Sequence, residues 1–257
     1  MRVLLVDMGN TRVKWTYVVD GRMGRQRAGA SANWTAQDYS HRVIGSQKSE
    51  AGRVDRIVVS SVAGRPAERM LIAAARKAGA PRPEFVRSQR RAGGITTAYL
   101  EPWRLGVDRF LAAIGAYHHS GGRAVLVVNV GTAITLDLVG TDGSHYGGAI
   151  APGPELMIHS LLQQTSGIRR RSRGGKAGSR QLFARATRTA IGEGARYAAA
   201  ALVDRAIEEA RRMLGRKPSV LLTGGGSSTL EPLMRSAYLR VPDLVLRGLA
   251  VWAGVAP

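Results

Sequence analysis

The 257-residue sequence contains no cysteine, which excludes disulfide staples, thiol catalysis and zinc held by thiolates. It has no apolar run approaching the ~18–20 residues that cross a bilayer. Asp7 interrupts the N-terminal apolar stretch too early for a secretory leader. The expected compartment is the cytoplasm, with no membrane partner. Histidines number five. His118 and His119 are adjacent and cannot share a helical face, and His41, His145 and His159 show no ligand spacing, so no metal site is expected on them. The tryptophans at 15, 34, 103 and 252 read as packing residues, not as stacking platforms for bases.

Lysine is scarce as well. It supplies only positions 14, 48, 77, 176 and 217 of the 38 basic residues, the rest being arginine. Against 18 acidic residues this leaves a formal charge of +20, which points to polyanionic partners: nucleic acid, anionic membrane or a phosphorylated small molecule. The arginine skew, with abundant alanine and glycine, also fits a coding bias spread over a generally basic surface. The densest patch is Arg169, Arg170, Arg171, Arg173, Lys176 and Arg180, with no acid between Glu155 and Glu193. Interleaved glycines make 169–180 read as a mobile basic loop.

With 44% hydrophobic and 22% charged residues, the chain can bury a core of one large or two ordinary domains. An internal repeat favours two. Residues 3–21, VLLVDMGNTRVKWTYVVDG, match 125–143, VLVVNVGTAITLDLVGTDG, at six of nineteen positions without a gap. Each copy reads as a strand, a turn at glycine, a second strand and an Asp-Gly hairpin signal. Further elements are a strand at 57–61, a helix around 67–78, a helical face of Phe110, Leu111, Ile114 and Tyr117, and a helix through 156–162. A long helix at 190–214 carries apolar Ile191, Ala198, Leu202 and Ile207, followed by a strand at 220–222 and a last helix at 244–255. The alternation predicts an α/β protein of two duplicated lobes with a cleft between them, residues 1–112 and 113–243, the C-terminal helix packing back on the first.

The first turn, Asp7-Met8-Gly9-Asn10-Thr11-Arg12-Val13-Lys14, has the makings of a phosphate cradle. With its apex between Asn10 and Thr11, Asp7 and Lys14 face each other across the strands. Backbone amides and the Asn10 and Thr11 side chains then point at the loop's occupant, with one cation for phosphoryl oxygens and one carboxylate for a hydrated metal. An ordinary hairpin with a surface Asp–Lys pair is the alternative. The similar turn at Gly131-Thr132-Ala133 favours the cradle. Gly106-Val107-Asp108-Arg109 opens a helix, where Asp108 is either an N-terminal carboxylate favoured by the helix dipole or a proton acceptor. Arg109 is either a surface charge or a partner for a substrate carboxylate. Tyr99 could be a core ring and Thr187 a helix cap.

The ordered set DMGNTRVKW (7–15), YLEPWRLGVDR (99–109), GTAITLD (131–137), GGAIAPG (147–153), ATRTAIGEG (186–194) and LLTGG (221–225) resembles type III pantothenate kinase. That family includes the Bvg accessory factor proteins and falls in the acetate kinase, sugar kinase, Hsp70 and actin superfamily. The resemblance implies actin-like (ribonuclease H-like) lobes and ATP-dependent phosphorylation of pantothenate to 4′-phosphopantothenate, the entry to coenzyme A. It implies ATP on Asp7–Lys14 and Thr132 with a divalent metal, magnesium by preference, and pantothenate on Tyr99, Gly106, Val107, Asp108, Arg109 and Thr187, with Asp108 as general base. It also implies a homodimer and an activating potassium or ammonium ion at position 129. There the family carries aspartate and this chain carries Asn129, which brings no charge. An attraction on the order of several kcal/mol is thereby lost. Gly226 replaces another frequent acid. These departures leave open weakened cation dependence, a site rebuilt with Asp137, or a catalytically weakened relative acting as a regulatory or nucleic-acid-binding protein, although no nucleic-acid-binding motif is evident. A kinase of the same superfamily acting on a sugar or carboxylate is a further alternative.

Overall fold

The structure, a computed structural model, describes residues 1–45, 47, 52–172 and 181–255. Its first strand, β1 (Arg2–Met8), is buried from Val3 to Met8 without alternation, as a central strand covered on both faces must be. The chain returns antiparallel in β2 (Arg12–Val19), which also pairs with β3 (Arg22–Met23) across the Asp20-Gly21 hairpin and with β4 (Arg27–Ala30). A capping box between Thr35 and Asp38 starts the short α1 (Ala36–Asp38). β5 (Arg56–Ser61) lies parallel to β1. The crossover α2 (Arg65–Ala78) leads on to β6 (Glu84–Phe85), parallel to β5, giving the order β3-β2-β1-β5-β6. A small hairpin of β7 (Arg91–Ala92) and β8 (Ile95–Thr96) precedes α3 (Val107–His119).

The second sheet repeats the theme: β9 (Val125–Val130), β10 (Ala133–Val139), β11 (His145–Pro152), then α4 (Pro154–Gln164), α5 (Ser166–Arg171), α6 (Thr187–Leu214), β12 (Ser219–Thr223), α7 (Ser227–Leu230) and β13 (Leu239–Arg240), ordered β11-β10-β9-β12-β13. The last helix is α8 (Leu244–Trp252). One face of this sheet, Leu126, Val128, Val130, Ile134, Leu136 and Leu138, packs on Ala199, Val203, Ile207 and Ala210 of α6. Ala198, expected on that apolar stripe, is exposed, because the 3.6-residue period carries the buried line through 195, 199 and 203 instead. No helix among the described residues is long and apolar enough to cross a membrane.

By contact density the first lobe is Met1–Gly122 with Thr141–His145 and Asp243–Pro257, and the second is Arg123–Gly140 with Tyr146–Pro242. The expected division after residue 112 falls inside α3. That helix stays whole in the first lobe because Phe110, Leu111 and Ile114 are all buried there. In the first core, Leu4, Val6, Met8, Val13 and Trp15 meet Tyr39, Val43, Ile44 and Leu71, and Trp34 sits edge-on to Trp15 (6.1 Å) and Tyr39 (5.3 Å). Trp103 departs from the packing expected of it: it is 69% exposed, with the Arg104 guanidinium 4.7 Å from its ring centre.

Helices α3 and α8 cross with their backbones in contact. A Cβ on Gly248 would overlap the Leu111 carbonyl oxygen, and one on Gly115 would overlap that of Leu244 and meet the Gly248 nitrogen at 2.8 Å. Only glycine fits at such a crossing.

The repeat is real in topology and unequal in register. Met8 pairs with Val13, enclosing four residues, whereas Val130 pairs with Ile134, enclosing three. A one-residue slip reverses which side chains share a face. Lys14 therefore stands opposite Asp7, while the residue aligned with it, Leu136, turns into the core at 3% exposure and Asn129 stands opposite Thr135.

Candidate active site

Asp7 lies one residue before the end of β1, with Lys14 opposite on β2 and Ser60 opposite on β5, and is only 7% exposed. The turn beyond it closes with the Gly9 N–H donating to the Arg12 carbonyl at 3.0 Å. Asn10, Thr11 and Arg12 are exposed, whereas Met8 and Val13 point into the core and leave only their backbone facing the turn. Burial pushes the Asp7 carboxyl up to about 6. Lys14 pulls it down, the Asp108 carboxylate pushes it up further, and the Ser60 hydroxyl lowers it. That hydroxyl is fully buried and has no well-formed hydrogen bond, so its pull is weak. Sequence reasoning missed Ser60, whose place beside Asp7 comes from the parallel register of β1 and β5.

A carboxyl held above its ordinary 3.8 binds its proton more tightly when folded, so its contribution to stability is full below pH 3.8 and falls as pH rises through 6. Asp7→Asn is therefore expected to stabilise the chain by about 2–3 kcal/mol at pH 7–8 and by little below pH 4. Thermal midpoints of both proteins from pH 4 to 8 check this. A constant difference across that range would contradict the assignment.

Gly106 caps α3, and the Asp108 carboxylate turns back so that its Oδ1 accepts the Arg109 N–H at 2.9 Å. A Cβ on Gly106 would lie 2.7 Å from that oxygen, which explains the glycine two positions before the acid. The helix dipole favours negative charge there, and Asp108 remains partly exposed. Arg109 is not the surface charge of the bland reading. It is 5% exposed, and its Nη1 donates to the Tyr99 hydroxyl at 3.0 Å. Tyr99, half-buried, is pinned by its backbone: its N–H donates to Thr97 Oγ1 at 3.3 Å and its carbonyl accepts from Arg90 Nη1 at 3.0 Å. The first lobe thus gathers a cradle turn, a buried acid, a partly exposed acid electrostatically coupled to it, and a buried guanidinium tied to a tyrosine. A proton acceptor beside a fixed cation suits the activation of a hydroxyl on an anionic substrate.

In the second lobe, three of the sequence motifs converge. The Gly131 N–H donates to Ala133 (2.9 Å), the Gly153 N–H to Thr132 (2.8 Å) and the Gly226 N–H to Val130 (2.9 Å), so the second turn is braced from the ends of β11 and β12. The Thr132 side chain is exposed. Asn129 is flanked by Thr135 and Thr223 on its sheet neighbours, and its Oδ1 lies close to the Gly224 backbone. Asp137 stands opposite Val127, one step along the same face, at 2% exposure. Thr187 is the first residue of α6, whose cap is Ala186, and it is half-buried. Of the basic patch, Arg169 donates to the Leu162 and Gln163 carbonyls (both 2.7 Å), closing the end of α4, while 173–180 lie outside the described residues. No group of three or more His, Asp or Glu that could hold a metal ion occurs among the described residues.

The family described as type III pantothenate kinase matches residues 3–209. A type III pantothenate kinase of Nitrosococcus oceani is 35% identical over 252 residues, covering 96% of this chain and 92% of that protein. One of Herminiimonas arsenicoxydans is 36% identical over 252 residues, covering 96% and 95%. In fold, the chain is similar to the activator of the 2-hydroxyisocaproyl-CoA dehydratase of Clostridium difficile, solved with ADPNP, at TM-score 0.54 and 12% identity over 98% of this chain and 94% of that one. The two-lobed, actin-like α/β fold follows from these likenesses.

Proposed function

Because the chain belongs to the type III pantothenate kinase family, enzymes that phosphorylate pantothenate from ATP at the entry to coenzyme A biosynthesis, we propose that Asp108 is its general base and Arg109 its substrate clamp. Asp108 takes the proton of the primary hydroxyl of pantothenate. That oxygen bonds to the γ-phosphorus as the bridging bond to the β-phosphate breaks, giving 4′-phosphopantothenate and ADP. Phosphoryl transfer asks mostly for positioning and charge stabilisation. The observation that carries this reading is the arrangement at the start of α3, where a partly exposed carboxylate adjoins a buried guanidinium already fixed by Tyr99. Tyr99 and the Gly106–Arg109 backbone line the substrate's place, to which the resemblance adds Thr187.

The cradle from Asp7 to Lys14 takes the phosphates of ATP: the Gly9–Arg12 backbone and the Asn10 and Thr11 side chains offer donors, and Lys14 a cation. The resemblance adds Thr132. A divalent metal fits the donor set, because a buried carboxyl pushed up to about 6 gains from a nearby cation, and magnesium commonly rests on one or two carboxylates plus substrate phosphates. Such a metal would neutralise charge on the phosphates, with Asp7 as its protein anchor. The regulatory alternative is not favoured by the named relatives, which are type III pantothenate kinases.

Asn129 has neutral neighbours in Thr135 and Thr223, which supports weak dependence on a monovalent cation. The deciding experiment is an ADP-release assay with and without pantothenate, and with and without potassium, on the wild type and Asn129→Asp. ADP release only with pantothenate is expected. Potassium should stimulate the variant by about tenfold and the wild type far less, reflecting the restored charge. Release independent of pantothenate would overturn the substrate assignment, and equal potassium response would overturn the role of position 129. The reading also takes the enzyme as a cytoplasmic homodimer, and exposed Leu100 and Trp103, in the segment between Tyr99 and Asp108, offer apolar surface for a partner. Sedimentation of the full chain tests that.

A further inference from the structure

The turn from Thr141 to His145 joins β10 to β11, two strands of the second sheet, yet by contact density it belongs to the first lobe. Backbone bonds hold it there. The Thr96 N–H donates to the Gly143 carbonyl at 2.9 Å, Thr96 and Ser144 form a parallel bridge, and the Tyr117 hydroxyl donates to the Thr141 carbonyl at 3.0 Å. Asp142 shapes the turn by accepting from the Ser144 N–H (3.0 Å) and hydroxyl (2.7 Å). The product of this bracing is the place of His145, the first residue of β11, which is 4% exposed. Its ring lies 6.2 Å from that of Tyr99 at an interplanar angle of 21°, a stacked pair. Tyr99 in turn holds Arg109 in two ways, through the hydroxyl that accepts from Nη1 and through its ring, 5.8 Å from the guanidinium carbon.

We propose that His145 is a positioning residue: by stacking on Tyr99 it fixes the ring that orients the Arg109 guanidinium toward the carboxylate of pantothenate. This rests on the reading of Tyr99 and Arg109 as the substrate-holding pair. The half-buried Tyr99 is anchored by backbone bonds at one end and by Arg109 at the other, and between them the ring still has torsional freedom about its χ angles. A flat neighbour lying against the ring face, as His145 does at 21°, restrains that freedom at little cost, because a stacked aromatic pair is itself favourable. The function asked of His145 is flatness and not proton transfer, so another aromatic ring can replace it and a branched aliphatic side chain of similar bulk cannot.

Steady-state kinetics of the full chain test this with His145→Phe, His145→Leu and Arg109→Ala, each accompanied by its thermal midpoint. His145→Leu is expected to raise the KM for pantothenate about three- to tenfold, the measure of one aromatic pair, with the KM for ATP unchanged. His145→Phe is expected to return the pantothenate KM to near the wild-type value. The thermal midpoints separate a disturbed turn from a lost stack: where Leu and Phe shift the midpoint alike, only Leu should move the pantothenate KM. If His145→Leu leaves the pantothenate KM unchanged, or if it raises both KM values together and Phe fails to rescue, the proposal is overturned. Arg109→Ala separates the two levels: a pantothenate KM unmoved by that change breaks the substrate-clamp reading itself, whereas a large rise beside a silent His145→Leu breaks only the positioning role.

Discussion

Asp108→Asn is expected to lower kcat by about three orders of magnitude while the chain stays folded, since a positioned general base contributes on the order of 10²–10⁴-fold. The substitution is nearly isosteric, and the amide oxygen can still accept the Arg109 N–H that the carboxylate accepts at 2.9 Å. What disappears is basicity. Loss of a negative charge from the first turn of α3 costs roughly 0.3–1 kcal/mol through the helix dipole. Relief of repulsion with Asp7, whose carboxyl Asp108 pushes up, works in the opposite direction. The thermal midpoint should therefore move little. Because Arg109 and Tyr99 are untouched, the KM for pantothenate should stay near the wild-type value, so the effect falls on kcat. Single-turnover phosphorylation measured alongside thermal unfolding distinguishes a missing base from a damaged fold. Turnover within tenfold of the wild type would mean that the proton goes elsewhere.

The second large effect is expected far from the reacting atoms, at Gly248. Helix propensity alone makes Gly248→Ala stabilising by about 1 kcal/mol. The new Cβ, however, would occupy the space of the Leu111 carbonyl oxygen, a backbone atom that cannot rotate away. Overpacking costs about 1–3 kcal/mol when side chains can adjust, and more when two backbones must part. The clash wins, and the expected result is a thermal midpoint lower by roughly 6–12 °C, as about 3 kcal/mol would give in a chain of this size. The displacement also reaches the chemistry, because α3 bears Asp108 and Arg109 on its first turn. Gly194→Ala in α6 is the matched control: nothing lies within 4 Å of a Cβ there, so the same exchange should leave stability unchanged or raise it. If both alanines behave alike, the close crossing of α3 and α8 is wrong.

Some of this was legible in the residues. Asp7 and Lys14 stand opposite each other, as the turn placed after Gly9 requires, because strand pairing has a period of two and leaves few registers. The buried run Val3–Val6 and its counterpart Val125–Val128 announce central strands, and the Asp20-Gly21 and Asp142-Gly143 signals sit at hairpins. Other features depended on facts that a linear pattern does not hold. The match between 3–21 and 125–143 runs without a gap, so it conceals that the second turn is a residue shorter and that Thr135, not the residue aligned with Lys14, stands across from Asn129. Ser60 beside Asp7 needs the parallel register of a strand fifty residues away. His145 shows no ligand spacing, and its neighbour Tyr99 is reached only once the 141–145 turn folds onto the first lobe. Buried Arg109 reads as a surface charge by residue type alone, since guanidinium groups are seldom buried unless something holds them.

The docking of α8 against α3 has a bearing on how the molecule is born. The first lobe cannot be finished from the residues that a ribosome makes first, because the helix that completes it is translated more than a hundred residues after its mate. Until then α3 presents Leu111 and a glycine-lined groove to the outside, and the nascent chain must carry that raw surface through the whole synthesis of the intervening lobe. Closing so long a loop adds little to the equilibrium cost but slows the search. Truncations that clip α8 should therefore harm the assembly of the nucleotide-cradle lobe more than their small size suggests, and chaperone demand should be greatest just before α8 emerges.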